Sequence, residues 1–365
     1  ITGNLSIVKN GSTVQTISGT CTYTGSTTIN AGTWKLGGSD KIPDASPFSL
    51  SGTLDLNGFN ETVSSLSGGS AGIVDNVSGG GTSLLTAGGD NSNTRFSGVM
   101  KNTTGTLSFT KVGSGTLILD GDNTLSGTTS PSLVNNGSLT YNHSNSSEYA
   151  GVISGTGPLT VQAGTFVLSG NNTYSGGTTI NFGATLQLGN GGSSGSITGN
   201  IVNNGTLIIN RNDAYTLNGN ISGTGVVIIS GLGTITLSGT NSYSGSTTVQ
   251  SGILKLGSNS ALGTNAAGTF VSSGASLDLN GLNYSANESL SIAGVGNSGN
   301  GALQNTNVAD ALYNGGVTLS AATTVNASNQ ITLSGTISNY MDLTKTGSDD
   351  LVFTNNSVQI NNLLI

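Results

Sequence analysis

Five times along the chain a short apolar strand leads into a glycine turn, a second strand and then a segment of the type Tyr-Ser-Gly-Gly-Thr-Thr. The units begin at Leu5, Leu107, Leu159, Val227 and Leu343, and the last of them lacks the Tyr-Ser-Gly step. The clearest copies span 107–141, 159–189 and 227–257. No unit is long enough to bury a core by itself, so each must close its core against its neighbours, which is the signature of a solenoid. A second level of repetition lies over the first. Tyr23 corresponds to Tyr243, Leu36 to Leu256, and Leu54-Asp55-Leu56-Asn57-Gly58 to Leu277-Asp278-Leu279-Asn280-Gly281. The expected organisation is one continuous solenoid over 1–365, with approximately 1–101 duplicated at 221–342. Small drifts in the offset are what loop insertions produce.

Strands are legible from alternation. In Thr116-Leu117-Ile118-Leu119, Leu186-Gln187-Leu188 and Leu254-Lys255-Leu256 two apolar residues flank one that faces the other way. Glycine or asparagine follows nearly every run and supplies the backbone conformations that tight corners need. No segment holds a helical period, and no apolar run is long enough for a transmembrane helix. Glycine is 59 of 365 residues but follows no three-residue period, which excludes collagen. The expectation is an all-β, right-handed parallel β-helix (β-solenoid) built from irregular repeats. Coils of roughly 20 to 25 residues rising about 4.8 Å each give about 15 to 18 coils and a rod of roughly 70 to 85 Å.

Three segments carry a family resemblance: 111–119 (KVGSGTLIL), 169–179 (SGNNTYSGGTT) and 252–257 (GILKLG). They resemble the autotransporter-associated β-strand repeat of bacterial type V secreted passengers and other large bacterial surface proteins. The resemblance implies a right-handed solenoid displayed outside the cell and implies no activity. The sequence reads from Ile1 to Ile365 with neither an apolar signal segment nor a barrel-forming strand series within it, so a processed product, a fragment or another export route is expected.

Charge narrows the partners. Nine basic and sixteen acidic residues leave a net charge of -7, which disfavours nucleic acid and anionic membrane surfaces. Catalytic chemistry is not expected. His143 is read as a lone residue of an exposed polar loop with only Glu148 nearby. Cys21, the single cysteine, is read as a small apolar core residue. Asp55, Asp278, the pair Asp120 and Asp122, and the pair Asp349 and Asp350 are read as solvated turn residues. Asp120-Gly-Asp122-Asn lacks the downstream ligands of a calcium loop. Arg95 and Arg211 are too few for a carboxylate clamp. No enzyme, cofactor or metal is expected.

Tyr23, Tyr174 and Tyr243 occupy one repeat position and are expected to cover a corner of the coil, and Trp34 to fill a core position. The Thr-Thr pairs at 27, 128, 178 and 247 are too unevenly spaced for an ice-binding rank. No polar cap is visible at either end, so Ile1, Leu5 and Ile7 are expected to meet Leu351, Phe353, Leu363, Leu364 and Ile365 of the next molecule, giving a filament or layer. Two functions remain open: a structural fibre, stalk or coat subunit, and an adhesin that binds glycans or a host surface through loops at 67–94 and 142–148.

Overall fold

The computed structural model describes residues 1–77, 79–121 and 133–365. It is all-β apart from one short 3-10 turn at Asn297–Gly299, and its parallel strands stack as a β-solenoid of about 18 turns. The fold class read from the sequence is the fold observed. The chain divides into two compact units, Ile1–Thr178 and Thr179–Ile365. None of its helices is long and apolar enough to cross a membrane.

In the first unit, Ile7 pairs with Thr27, Thr27 with Phe48 and Phe48 with Leu66, so one turn uses about 20 residues. A second wall stacks Trp34, Leu54, Val74 and Met100, each at most 2 % exposed. Trp34 thus fills the expected core position, with no hydrogen-bond partner for its indole N–H.

The second unit carries a longer aliphatic column: Leu188, Ile209, Ile229, Val249, Val271, Ile292 and Leu319. All seven are buried. Period-two alternation puts one residue of each short strand inside, and parallel in-register stacking aligns those residues from turn to turn. Each buried aliphatic side chain contributes about 1.5–3 kcal/mol.

Glycine sets how closely the corners can approach. A Cβ on Gly219 would lie 1.8 Å from the Gly199 carbonyl oxygen, and one on Gly225 2.3 Å from that of Gly205. These positions admit no side chain because the backbone of the previous turn occupies the space. Asn57 and Asn280, at φ 50° and 52°, make the left-handed turn at matching points of the two units.

Of the two segments read as loops, one lies inside a strand and the other is partly strand. The region 67–94 contains the ends or whole of Ser65–Gly68, Ile73–Asp75 and Thr82–Ala87. The region 142–148 lies within the twelve-residue strand Ser138–Tyr149, which pairs with Leu159–Leu168 across two register shifts. Polar residues mark these strands because outward positions face water, and polarity alone does not distinguish a wall from a loop.

Candidate functional site

The repeat tyrosines are buried. Tyr23 meets Thr27 Oγ1 at 2.5 Å, Tyr174 meets Thr178 at 2.7 Å and Tyr243 meets Thr247 at 2.5 Å. The first threonine of these three Thr-Thr pairs therefore faces inward and binds the tyrosine four residues earlier. Thr27, Thr178 and Thr247 are buried while Thr28, Thr179 and Thr248 lie nearer the surface. Thr128 lies outside the described residues. Burial raises the ionisation of Tyr23 and Tyr243 above the ordinary phenol range.

In the second unit a polar rung interrupts an apolar column. Val227 pairs with Thr247, Thr247 with Thr269 and Thr269 with Leu290. Tyr243 satisfies Thr247; Thr269 donates to Glu288 Oε1 at 2.6 Å, and Tyr284 donates to Glu288 Oε2 at 2.8 Å. Tyr313 stacks on Tyr284 with centroids 5.5 Å apart and donates to the Glu288 carbonyl. Glu288 is 1 % exposed, and burial pushes its carboxyl up to about 7 against the hydroxyl bonds. Glu61 in the first unit is equally buried. Its Oε2 accepts from the Lys41 and Ile42 amides, and burial pushes it up to about 7 as well.

Asp55 and Asp278 are not solvated. Each is 2 % exposed and holds a turn: Asp55 Oδ1 accepts from the Asn57 and Val77 amides, and Asp278 accepts from the Asn280 and Thr306 amides and from the Thr306 hydroxyl. Asp75 does the same for Thr103. The flanking leucines face the core, and the turn folds the carboxylate under the next coil's amides instead of leaving it in water. Lys255 and Lys101 approach Asp278 and Asp75 at 3.8 and 3.6 Å.

His143 is also buried, within a strand, with a tilted contact to Tyr141. Glu148 accepts from Ser169. Cys21 is buried, as expected. Asp120 takes Arg95 at 2.8 Å together with Ser97 and Asn142, while Asp122 lies outside the described residues. Asp349 accepts from the amide of Asp350, and both are exposed. Arg211 is 5 % exposed and donates to the Ser193 and Gly195 carbonyls and to Asp213, pinning the loop before it. Among the described residues no group of three or more His, Cys, Asp or Glu is arranged to hold a metal ion.

Lysine provides a device that sequence reasoning missed. In Lys9-Asn-Gly-Ser, Lys111-Val-Gly-Ser and Lys345-Thr-Gly-Ser the ammonium donates to the carbonyl of the glycine two residues on. Lys111 is 1 % exposed and also donates to the Val112 carbonyl at 2.6 Å; burial lowers its ionisation range. Asn135 and Asn203 serve a similar turn by bonding the amide of the glycine two residues on and a carbonyl of the next coil. Lys-x-Gly-Ser occurs four times and was a partial signal, because in Lys255-Leu-Gly-Ser the ammonium approaches Asp278.

The residues expected at an end-to-end joint are accessible. Ile1, Leu5, Leu363, Leu364 and Ile365 are exposed, and Ile7, Leu351 and Phe353 are half-buried. Ile1 and Ile7 line a depression over Trp34 in the first unit. Leu351, Phe353, Leu363 and Ile365 line another in the second, beside Lys345 and Asp350.

The passenger-associated-transport-repeat family matches residues 7–33, 109–140, 154–188 and 222–256, four of the five units read from the sequence. The unit at Leu343 is not among them. The chain is 35 % identical over 125 residues, 33 % of its length, to the adhesin BmaC autotransporter of Brucella suis biovar 1 (strain 1330), and the match covers 4 % of that relative. No solved structure matches the chain. Four segments of the chain thus match the passenger-associated transport repeat, and the chain is similar to autotransporter passengers over those repeats.

Proposed function

We propose that this passenger-like repeat protein is a structural β-solenoid of a bacterial surface, displayed outside the cell as part of a fibre, stalk or coat and performing no chemistry of its own. The observation that carries the reading is where the buried polar groups go. Asp55, Asp75, Asp278, Lys111 and Arg211 are each engaged by backbone or neighbouring side chains that hold turns and loops. Polar residues used in this way build a scaffold. The low charge of the chain also suits a surface that repels neither partner nor copy strongly.

The finer form of this reading is edge-to-edge stacking. The backbone edge of a parallel coil accepts another coil of the same kind, supplied by more of the same polypeptide or by a second copy. Electron microscopy over a range of concentrations tests the second case. Filaments that vanish when Leu363, Leu364 and Ile365 are changed to aspartate support copy-to-copy stacking, and filaments unchanged by those substitutions remove it.

An adhesin is the second reading, favoured by the similarity to an adhesin autotransporter and by exposed Phe182, Leu232 and Val308, which are 90 %, 75 % and 90 % accessible on the second unit. Binding of the purified chain to cells or a glycan array, lost in Phe182→Ser, Leu232→Ser or Val308→Ser, would support it. Absence of binding in the unmodified chain would leave the scaffold.

A further inference from the structure

Glu61 and Glu288 follow matching sequences. Leu56-Asn57-Gly58-Phe59-Asn60 leads directly to Glu61, while Leu279-Asn280-Gly281-Leu282-Asn283 leads through Tyr284-Ser-Ala-Asn to Glu288. Both side chains are 1 % exposed. The groups facing them lack compensating charge. Around Glu288 stand Tyr284 of its own turn, Thr269, Tyr313 from Ala311–Tyr313, and Tyr243 of the preceding corner. Around Glu61 stand the amides of Lys41, Ile42 and Thr62, with Tyr23 and the acidic Asp40 nearby. Among the described residues neither carboxyl has a lysine, arginine or histidine ion-pair partner.

Both glutamates also tie separate pieces of chain together. Glu61 fastens the turn at 40–43 to the strand Glu61–Val63. Glu288 joins its own turn to Thr269 through its side chain and to Tyr313 through its carbonyl. The amide and hydroxyl bonds favour the ionised carboxyl, but complete burial with no cation alongside opposes ionisation more strongly, so the neutral form is the one these sites hold at lower pH. We propose that Glu61 and Glu288 are matched proton-operated latches: protonation closes the turns at 40–43 and 284–289 against the core, and ionisation lets those turns open locally while the aliphatic columns stay intact. The upward displacement of both carboxyls to about 7 sets the range in which the latches work.

Hydrogen–deuterium exchange of the full chain at pH 5 and pH 8, corrected for intrinsic exchange rates, tests this. The expected result is an opening constant larger at pH 8 by on the order of 100-fold for peptides covering 40–43 and 284–289. The carboxyl-free corner at Tyr174–Thr178 should show no such change. Glu61→Gln and Glu288→Gln should each flatten the pH response of their own region only. Glu288→Thr, which installs the residue found at this corner in the other units, should flatten it as well and serves if the glutamine variant does not fold. Equal protection at both pH values, or a response that survives in Glu288→Gln or Glu288→Thr, overturns the proposal.

Discussion

The Tyr284 hydroxyl donates to Glu288 Oε2 over 2.8 Å, four residues along the chain, in the relationship that Tyr243 has with Thr247 at 2.5 Å. A carboxyl here replaces a hydroxyl. Its longer reach lets one residue satisfy Tyr284 and also Thr269 on the neighbouring coil. The corner is thus one design in two versions: a short local bond where the repeat is regular, and a titratable bridge where it is not.

Stability should fall as pH rises through neutrality. The folded ionisation points of Glu61 and Glu288, about 7, stand above the unfolded value of 4.5. Their contribution is therefore fully present below about 4.5 and lost as pH rises through about 7, by at most about 3 kcal/mol each. Asp90, whose carboxyl is held low by bonds from Ser92, Ser65 and Ser64 despite an opposing burial penalty, works in the other direction at the acid end. Urea midpoints measured from pH 5 to pH 8.5 should decline, and a midpoint that stays level or rises would contradict this account.

Removing the corner bond alone should have a modest effect. Tyr174→Phe keeps the ring and deletes the hydroxyl that meets Thr178; the expected loss is about 1 kcal/mol. Tyr174→Ala also empties a fully buried site and should cost about 3–5 kcal/mol. Thermal or urea unfolding of both variants separates packing from hydrogen bonding.

Asp278→Asn should destabilise the second unit by about 2 kcal/mol, because charge-assisted bonds from the Asn280 and Thr306 amides and the Thr306 hydroxyl weaken together. Asp350→Asn, at an exposed position, is the comparison and should leave the unfolding midpoint within experimental scatter. Equal losses in the two variants would mean that Asp278 does not hold its turn.

The strands and the aliphatic columns were legible because alternation has one meaning in a short strand: Leu186 and Leu188 had to share a face, and both are buried. That Tyr23, Tyr174 and Tyr243 pack alike was legible because repetition at one position constrains packing, and all three are buried. The polar interior was not. Asp278 lies between two leucines in sequence, which marks it as outward in a straight strand, but the turn that follows folds it under the next coil. Glu288 was readable in principle, since it stands four residues after a tyrosine where the other units carry threonine. His143 was misplaced because a run of polar residues is compatible with a strand whose outer face is wet.

Close coil stacking gives a last prediction about glycine. A Cβ on Gly219 would meet the Gly199 carbonyl oxygen at 1.8 Å, and that oxygen belongs to the previous turn's backbone and cannot rotate away. Gly192 has nothing within 4 Å of its added Cβ and a φ that other residues adopt. Gly219→Ala should therefore force two coils apart and cost several kcal/mol, roughly in line with or above the 1–3 kcal/mol of overpacking a core. Gly192→Ala should be neutral or slightly stabilising, by about 0.4–1 kcal/mol, through the unfolded chain. Circular dichroism melts of the two alanine variants compare the same chemical change with and without a neighbouring coil. Similar melting temperatures for both would show that the coils are not packed closely enough at Gly219 for its missing side chain to matter.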